Sequence, residues 1–329
     1  MRAQHNQPRQ RSRSFMRTVH HPILKRDVSV IGFGCASLGS RISPSEGLRA
    51  LGQASELGVN WFDVAPPYGD GQAEAILGSF LVGRRDEAVI CTKVGIARPE
   101  ISSVKKLLRS PARWAVQAFP GLRKQISRAR SVGSRPPLEP ATLRRSVETS
   151  LRLLKTDYID VLALHEPTID DCTNPHVIET LADLCKEGLT RTISIAGSID
   201  SILAGIQATA TFGGAQFPNN PFSRNFDAVW RSITNDRLFL VTHSVFDPEA
   251  SKKLGTLLLD KSGRPQIGKS PTQLLMDYAL AKNPAGTVVL SMYSERHIVE
   301  NCARASQELD PNILPLIDEL ISSSNEETR

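Results

Sequence analysis

The 329-residue sequence contains no apolar run approaching the roughly 18 residues that a membrane-spanning helix needs, so no transmembrane segment is expected. Its seven histidines show neither H-x-H nor H-E-x-x-H spacing, which argues against a zinc-dependent hydrolase. No metal is expected. Gly32, Gly34 and Gly39 follow an apolar run but lack G-x-G-x-x-G spacing, and the next strand-end acid, Asp63, lies about 30 residues on rather than about 20. An ordinary Gly-rich dinucleotide fold is therefore not encoded here. Cysteine is sparse: Cys35, Cys91, Cys172, Cys185 and Cys302 are odd in number, scattered, and partly embedded in strand-like runs. That favours free thiols and a reducing compartment, and a cytoplasmic location is expected.

Acidic residues are missing from residues 1–26, which carry seven Lys/Arg, and nearly missing from 98–135, which carry ten Lys/Arg and only Glu100. With the whole chain at +6, the remainder stands at −10. The expected body is acidic with two basic appendages. No face of that body combines basic and aromatic residues, so nucleic acid is not an expected partner. Residues 1–18 are expected as a disordered basic tail; they lack the apolar h-region of a secretory signal, but their composition is shared with organellar transit peptides, and Met16 offers a second start.

What is present is alternation. Short apolar runs at 28–34, 59–64, 88–94, 158–164, 191–196, 227–232, 238–244 and 287–291 are eight expected strands, each followed by a helix-sized connection. The stretch after Ser43 has Pro44 at the first helical position, Glu46 to close a capping box and Gly58 as a stop, with Leu48, Leu51 and Leu57 expected to be buried. A second helix after Pro140 repeats Leu143, Val147, Leu151 and Leu154. Eight such units imply one α/β domain over 19–329, a (β/α)8 TIM barrel with a long basic insertion, 98–137, after its third strand.

Chemistry in such barrels sits where strands end. Asp63 ends the second strand, Lys93 the third, His165 follows the fourth, and Tyr68 lies five residues past Asp63. Together they can move a proton beside a carbonyl. Lys93 is expected to lower the tyrosine pKa, Asp63 to hold the lysine, and His165 to hydrogen-bond a substrate oxygen. Taken singly, each residue is more often a cap, a solvated charge or a packed ring; their placement on successive strand ends is what carries the reading.

"GVNWFDVAPPYGDGQAE", "ICTKVG" and "LRRSVETSLRLLKTDYIDVLALHEP" resemble three segments of the aldo-keto reductases, within a likeness spanning about 19–308. That resemblance implies catalytic Tyr68, Lys93, Asp63 and His165, a nicotinamide cofactor across the barrel mouth, and hydride exchange with a carbonyl or alcohol. Gly34, Cys35 and Asp63 would approach the cofactor from the first two strands. After the fifth strand Ala196 and Gly197 replace the family's Ser-Asn, its strand-six Gln falls on Trp230, and His243 stands for a stacking tyrosine, followed by Ser244. Ser291, Met292 and Ser294 would line the pyrophosphate and adenosine side, Glu300 and Asn301 the adenine, and Arg296 beside His297 the 2′-phosphate. NADP is the expected cofactor, with NAD the alternative, and an aldehyde, ketone or aldose the expected small-molecule partner.

Two readings stay open: this oxidoreductase, favoured by the intact proton-transfer set, and a nucleotide-binding redox-sensing or scaffolding barrel, favoured by the altered nicotinamide contacts. The insertion is expected as a solvated loop, with a substrate lid, a peripheral membrane contact or a partner site as alternatives.

Overall fold

The computed structural model describes residues 16–99, 138–233, 237–259 and 268–326. Most of the expected basic tail and nearly all of the insertion lie outside them. The described chain opens with an antiparallel hairpin, β1 (Thr18–His21) and β2 (Arg26–Ser29), and continues into eight parallel strands. These are β3 (Ile31–Gly34), β4 (Trp61–Asp63), β5 (Val89–Val94), β6 (Ile159–His165), β7 (Thr190–Ala196), β8 (Phe212–Pro218), β9 (Phe239–His243) and β10 (Thr287–Leu290). They close in the order β10-β3-β4-β5-β6-β7-β8-β9, a (β/α)8 barrel.

The expected run 28–34 is broken at Val30, its first half belonging to the hairpin and its second to the barrel. The hairpin forms the barrel floor. His21 stacks on Phe239 with centroids 4.2 Å apart and on Trp61 at 6.2 Å, and its Nδ1 accepts from the Ile23 and Leu24 amides. Above this floor, Val89, Cys91, Val161, Val241 and Val289 fill the interior, while two larger apolar clusters seal the strands against the outer helices.

The expected sixth strand, 227–232, is instead a helix, Asn225–Ser232. Phe226 and Val229 share its buried face, three positions apart, and leave Trp230 57% exposed, a helical rather than a strand period. The sixth barrel strand is β8, "FGGAQFP". Its glycines make room for the floor: a Cβ on Gly213 would stand 2.2 Å from Ile23 Cδ1.

The helix Pro44–Glu56 has the anticipated capping box and Pro start. Its buried residues, however, are Gly47, Ala50, Leu51 and Ala54, while Leu48 and Leu57 are exposed. The helix packs closely, with a Gly47 Cβ 2.9 Å from Leu38 Cδ2, so small residues rather than two of the leucines make the contact. In Pro140–Leu154, Leu143, Val147 and Leu154 are buried as expected and Leu151 is half-buried. No helix of the described residues is long and apolar enough to cross a membrane.

Candidate active site

Hydrogen-bonded register sets the C-terminal rim. Asp63 pairs with Gly34 and Cys91 across β3–β4–β5, Lys93 with Ala163, His165 with Ala196, and Ala196 with Gln216. Of these, Gly34, Asp63, Lys93, His165, Ala196 and Gln216 line one cavity of about 380 Å3, within the usual range of small-molecule sites.

At its base the Lys93 ammonium donates to Asp63 Oδ1 at 2.7 Å and to the Val64 carbonyl at 3.2 Å, and Asp63 Oδ2 accepts from Gln216 Nε2 at 3.0 Å. Lys93 and Asp63 are 2% and 3% exposed, so the pair is desolvated and held by several partners, as a buried ion pair must be. Burial alone would lower the lysine pKa, but the Asp63 carboxylate outweighs it, and the net direction is upward. Lys93 is charged throughout the working pH range.

Tyr68 lies above this pair, with Lys93 Nζ 5.0 Å from its ring centroid and the His165 ring edge-on at 5.7 Å. Lys93 pulls the tyrosine pKa down as expected, but the net shift is upward. Burial pushes the phenol up to about 12, and the pull of Lys93 only partly offsets it. Tyr68 therefore holds its proton at neutral pH. Burial, then the nearby Lys93 and His243, bring His165 down to about 3, so its imidazole is neutral. Its Nδ1 is buried without a hydrogen-bond partner among the described residues.

Of the other sequence-selected positions, Gly34, Ala196, His243, Ser244 and Ser291 line the same cavity. His243 is driven down to about 4, chiefly by burial, and its Nδ1 lies 2.9 Å from Ser244 Oγ. Cys35 and Met292 do not present side chains there; both are packed in the core, leaving only backbone to offer. Gly197 stands outside the cavity against Pro167, its amide bonded to the Gln216 carbonyl.

The helix Glu295–Ala305 is capped by Ser294, whose hydroxyl accepts from the His297 amide. Arg296 and Glu300 pair with each other at 2.8 Å on its exposed face, and Asn301 is half-buried one position further on. These residues lie outside the cavity lining.

Gln216 is not singled out by the sequence. The Gln position assigned to Trp230 is corrected by β8: Trp230 sits on an outer helix, whereas Gln216 reaches the Asp63 carboxylate. Its signal was a lone amide in a run otherwise of small and apolar residues. Tyr293 was also unremarked. Its hydroxyl donates to the Gly34 carbonyl and accepts from the Ser37 amide, locking the loop after β3 to the loop after β10.

A model of the Aldo/keto reductase family matches residues 30–207. The chain is 32% identical over 170 residues to the "Uncharacterized oxidoreductase YqkF" of Bacillus subtilis (strain 168), a match spanning 52% of this chain and 45% of that protein. With L-galactose dehydrogenase of Arabidopsis thaliana it shares 24% identity over 310 residues, 85% of each chain. Its fold is similar to that of aldo-keto reductase AKR11C1 from Bacillus halodurans in its holo form (TM-score 0.70, 22% identity, 93% of this chain and 96% of that one). It is also similar to an aldo-keto reductase from Klebsiella pneumoniae in complex with NADPH (TM-score 0.67, 21% identity, 93% and 95%). The family match spans over half the chain, including the strands that carry Asp63, Lys93 and His165 and the turn that carries Tyr68, and so this chain belongs to the aldo/keto reductase family.

Proposed function

We propose that the chain is an NADP(H)-dependent oxidoreductase interconverting a carbonyl and an alcohol on a small aldehyde, ketone or aldose. The observation that carries this is the buried Asp63–Lys93 pair beneath Tyr68 and His165 in one cavity. Relatives named for sugar oxidation, L-galactose dehydrogenase and D-threo-aldose 1-dehydrogenase, and the NADPH complex of the Klebsiella protein support the same reading.

The residues present fit a nicotinamide. Gly34, Ala36 and Ala196 bring little side-chain bulk to the cavity, which suits a flat ring, and His243, Ser244 and Ser291 line it with them. The capped N-terminus of Glu295–Ala305 and Arg296 suit a phosphate. When bound, the cofactor supplies the hydride that reduces the carbonyl carbon.

The chain supplies the proton. Tyr68 breaks its O–H bond and gives the proton to the carbonyl oxygen as negative charge develops there, leaving a phenolate that Lys93 stabilises. Asp63 fixes the ammonium so that it does not reorganise during the transfer. His165, being neutral, can donate a hydrogen bond to the same oxygen without competing as an acid. In the reverse direction the Tyr68 phenolate takes the alcohol proton.

The test pairs binding with turnover. NADPH and NADH are titrated by quenching of the three tryptophans, and oxidation of NADPH is followed with a panel of aldehydes, ketones and aldoses. Tyr68→Phe keeps the ring and removes the acid, so kcat should fall by roughly 10²–10⁴-fold with cofactor affinity little changed. Near-normal kcat in that variant would refute the proton assignment. Cofactor binding with no turnover on any carbonyl would instead favour the nucleotide-binding sensor or scaffold.

A further inference from the structure

The turn that delivers Tyr68 uses backbone conformations that L-residues resist. Gly69, Asp70 and Gly71 follow with φ of 60°, 55° and 79°, and Asp70 carries a Cβ that makes this region costly. Such a turn keeps its shape only where its surroundings over-determine it. Backbone bonds from the Gly69 amide to the Ala36 carbonyl and from the Gln72 amide to the Gly69 carbonyl hold its first half, and Gln72, which offers no side-chain cap to the next helix, Ala73–Leu81, donates its Nε2 to the Gly39 carbonyl.

Arg98 ties down its second half from the loop after β5. One guanidinium nitrogen donates to the Gly71 carbonyl at 2.6 Å, and another to Glu74. Glu74 is wholly buried, and its other carboxylate oxygen accepts from the Thr92 hydroxyl at 2.6 Å. Thr92 immediately precedes Lys93 on β5. One side chain thus ties together the tyrosine's turn, the first turn of the following helix and the strand that carries the lysine. A planar fork can bridge two acceptors at fixed angles, which a lysine ammonium cannot. Arg98 itself does not line the cavity.

We infer that Arg98, acting through Gly71 and Glu74, is a positioning residue that sets where the Tyr68 hydroxyl stands relative to Lys93. The inference rests on the carbonyl–alcohol reaction proposed above, because proton transfer is where a misplaced hydroxyl is felt.

The test compares Arg98→Met, Arg98→Lys and Glu74→Gln with wild type. It reads kcat and KM for carbonyl reduction, the pH profile of alcohol oxidation, NADPH affinity by tryptophan quenching, and amide hydrogen exchange across residues 68–76. In Arg98→Met, kcat should fall by about ten- to a hundredfold with KM and NADPH affinity near wild type, since small misplacements act on the chemical step. The alkaline limb of the pH profile should move, exchange across 68–76 should quicken, and Arg98→Lys should recover part of the loss. Unchanged kcat and an unmoved limb, even with faster exchange, would reduce Arg98 to a structural tie and overturn the inference. Should Arg98→Met fail to fold, Arg98→Lys and Glu74→Gln carry the same readings, each keeping part of the network. An inactive wild type sinks the proposed reaction and this inference together; an active wild type with indifferent variants sinks the inference alone.

Discussion

Lys93 answers to two neighbours at once, Asp63 at 2.7 Å and the Tyr68 ring, whose centroid lies at 5.0 Å. Its removal therefore separates into two measurable effects. Lys93→Met leaves a buried carboxylate that still accepts from Gln216, and breaking a buried pair from one side typically costs about 3–5 kcal/mol. Adding Asp63→Asn removes the stranded charge. The double variant should regain part of the lost melting temperature and none of the activity, so a double variant no more stable than Lys93→Met would contradict the account of the pair. The second effect is on the tyrosine. Tyr68 already stands near 12 because burial outweighs the lysine, and losing the lysine moves it higher still. On the proposed mechanism alcohol oxidation draws on the Tyr68 phenolate, so its alkaline limb should be displaced upward in Lys93→Met. An unmoved limb would show that Lys93 does not act on Tyr68.

Elements were legible where a local window holds their cause. Asp63, Lys93 and His165 each end or follow an apolar run, and a run that stops in a charge can be seen without knowing its neighbours in space. The strand β8 could not be seen this way. Gly213 and Gly214 are poor strand formers, and Gly213 is small because Ile23, nearly 200 positions earlier, presses on it from the barrel floor. The same blindness moved the strand-six glutamine onto Trp230 and hid Gln216. The helix Glu295–Ala305 is the opposite case. Ser294, expected from the sequence beside the cofactor, caps it, and the sequence could not show that Arg296 and Glu300 pair with each other. That pair is exposed and confined to one face, so the phosphate of the proposed cofactor, with its higher charge, would compete with Glu300 for Arg296. Arg296→Ala should weaken NADPH binding by about tenfold or more and leave NADH unchanged. Equal losses for both cofactors would mean that Arg296 only shapes the loop.

At the scale of the whole molecule, three histidines are held neutral by burial at opposite ends of one barrel. His21 lies in the floor and is driven down to about 4, while His165 and His243 at the mouth stand near 3 and 4. In the unfolded chain each titrates near its ordinary value of about 6.5. The folded values are the lower ones, so the stability these groups contribute is fully present above about pH 6.5. It is lost as pH falls toward 4 and 3, because the unfolded chain takes up protons that the fold refuses. Each proton so linked contributes a slope of at most about 1.4 kcal/mol per pH unit. The floor gives this a specific test. His21→Phe keeps a ring to stack on Phe239 and Trp61 but removes the group that titrates, along with the acceptor for the Ile23 and Leu24 amides. Its stability at neutral pH is expected to drop from the lost hydrogen bonds. Its dependence on pH should nevertheless be shallower than wild type by about one proton between pH 6.5 and 4, measured by denaturant unfolding at a series of pH values. A variant that loses stability at neutral pH and keeps the full acid slope would place the acid sensitivity elsewhere than in the barrel floor.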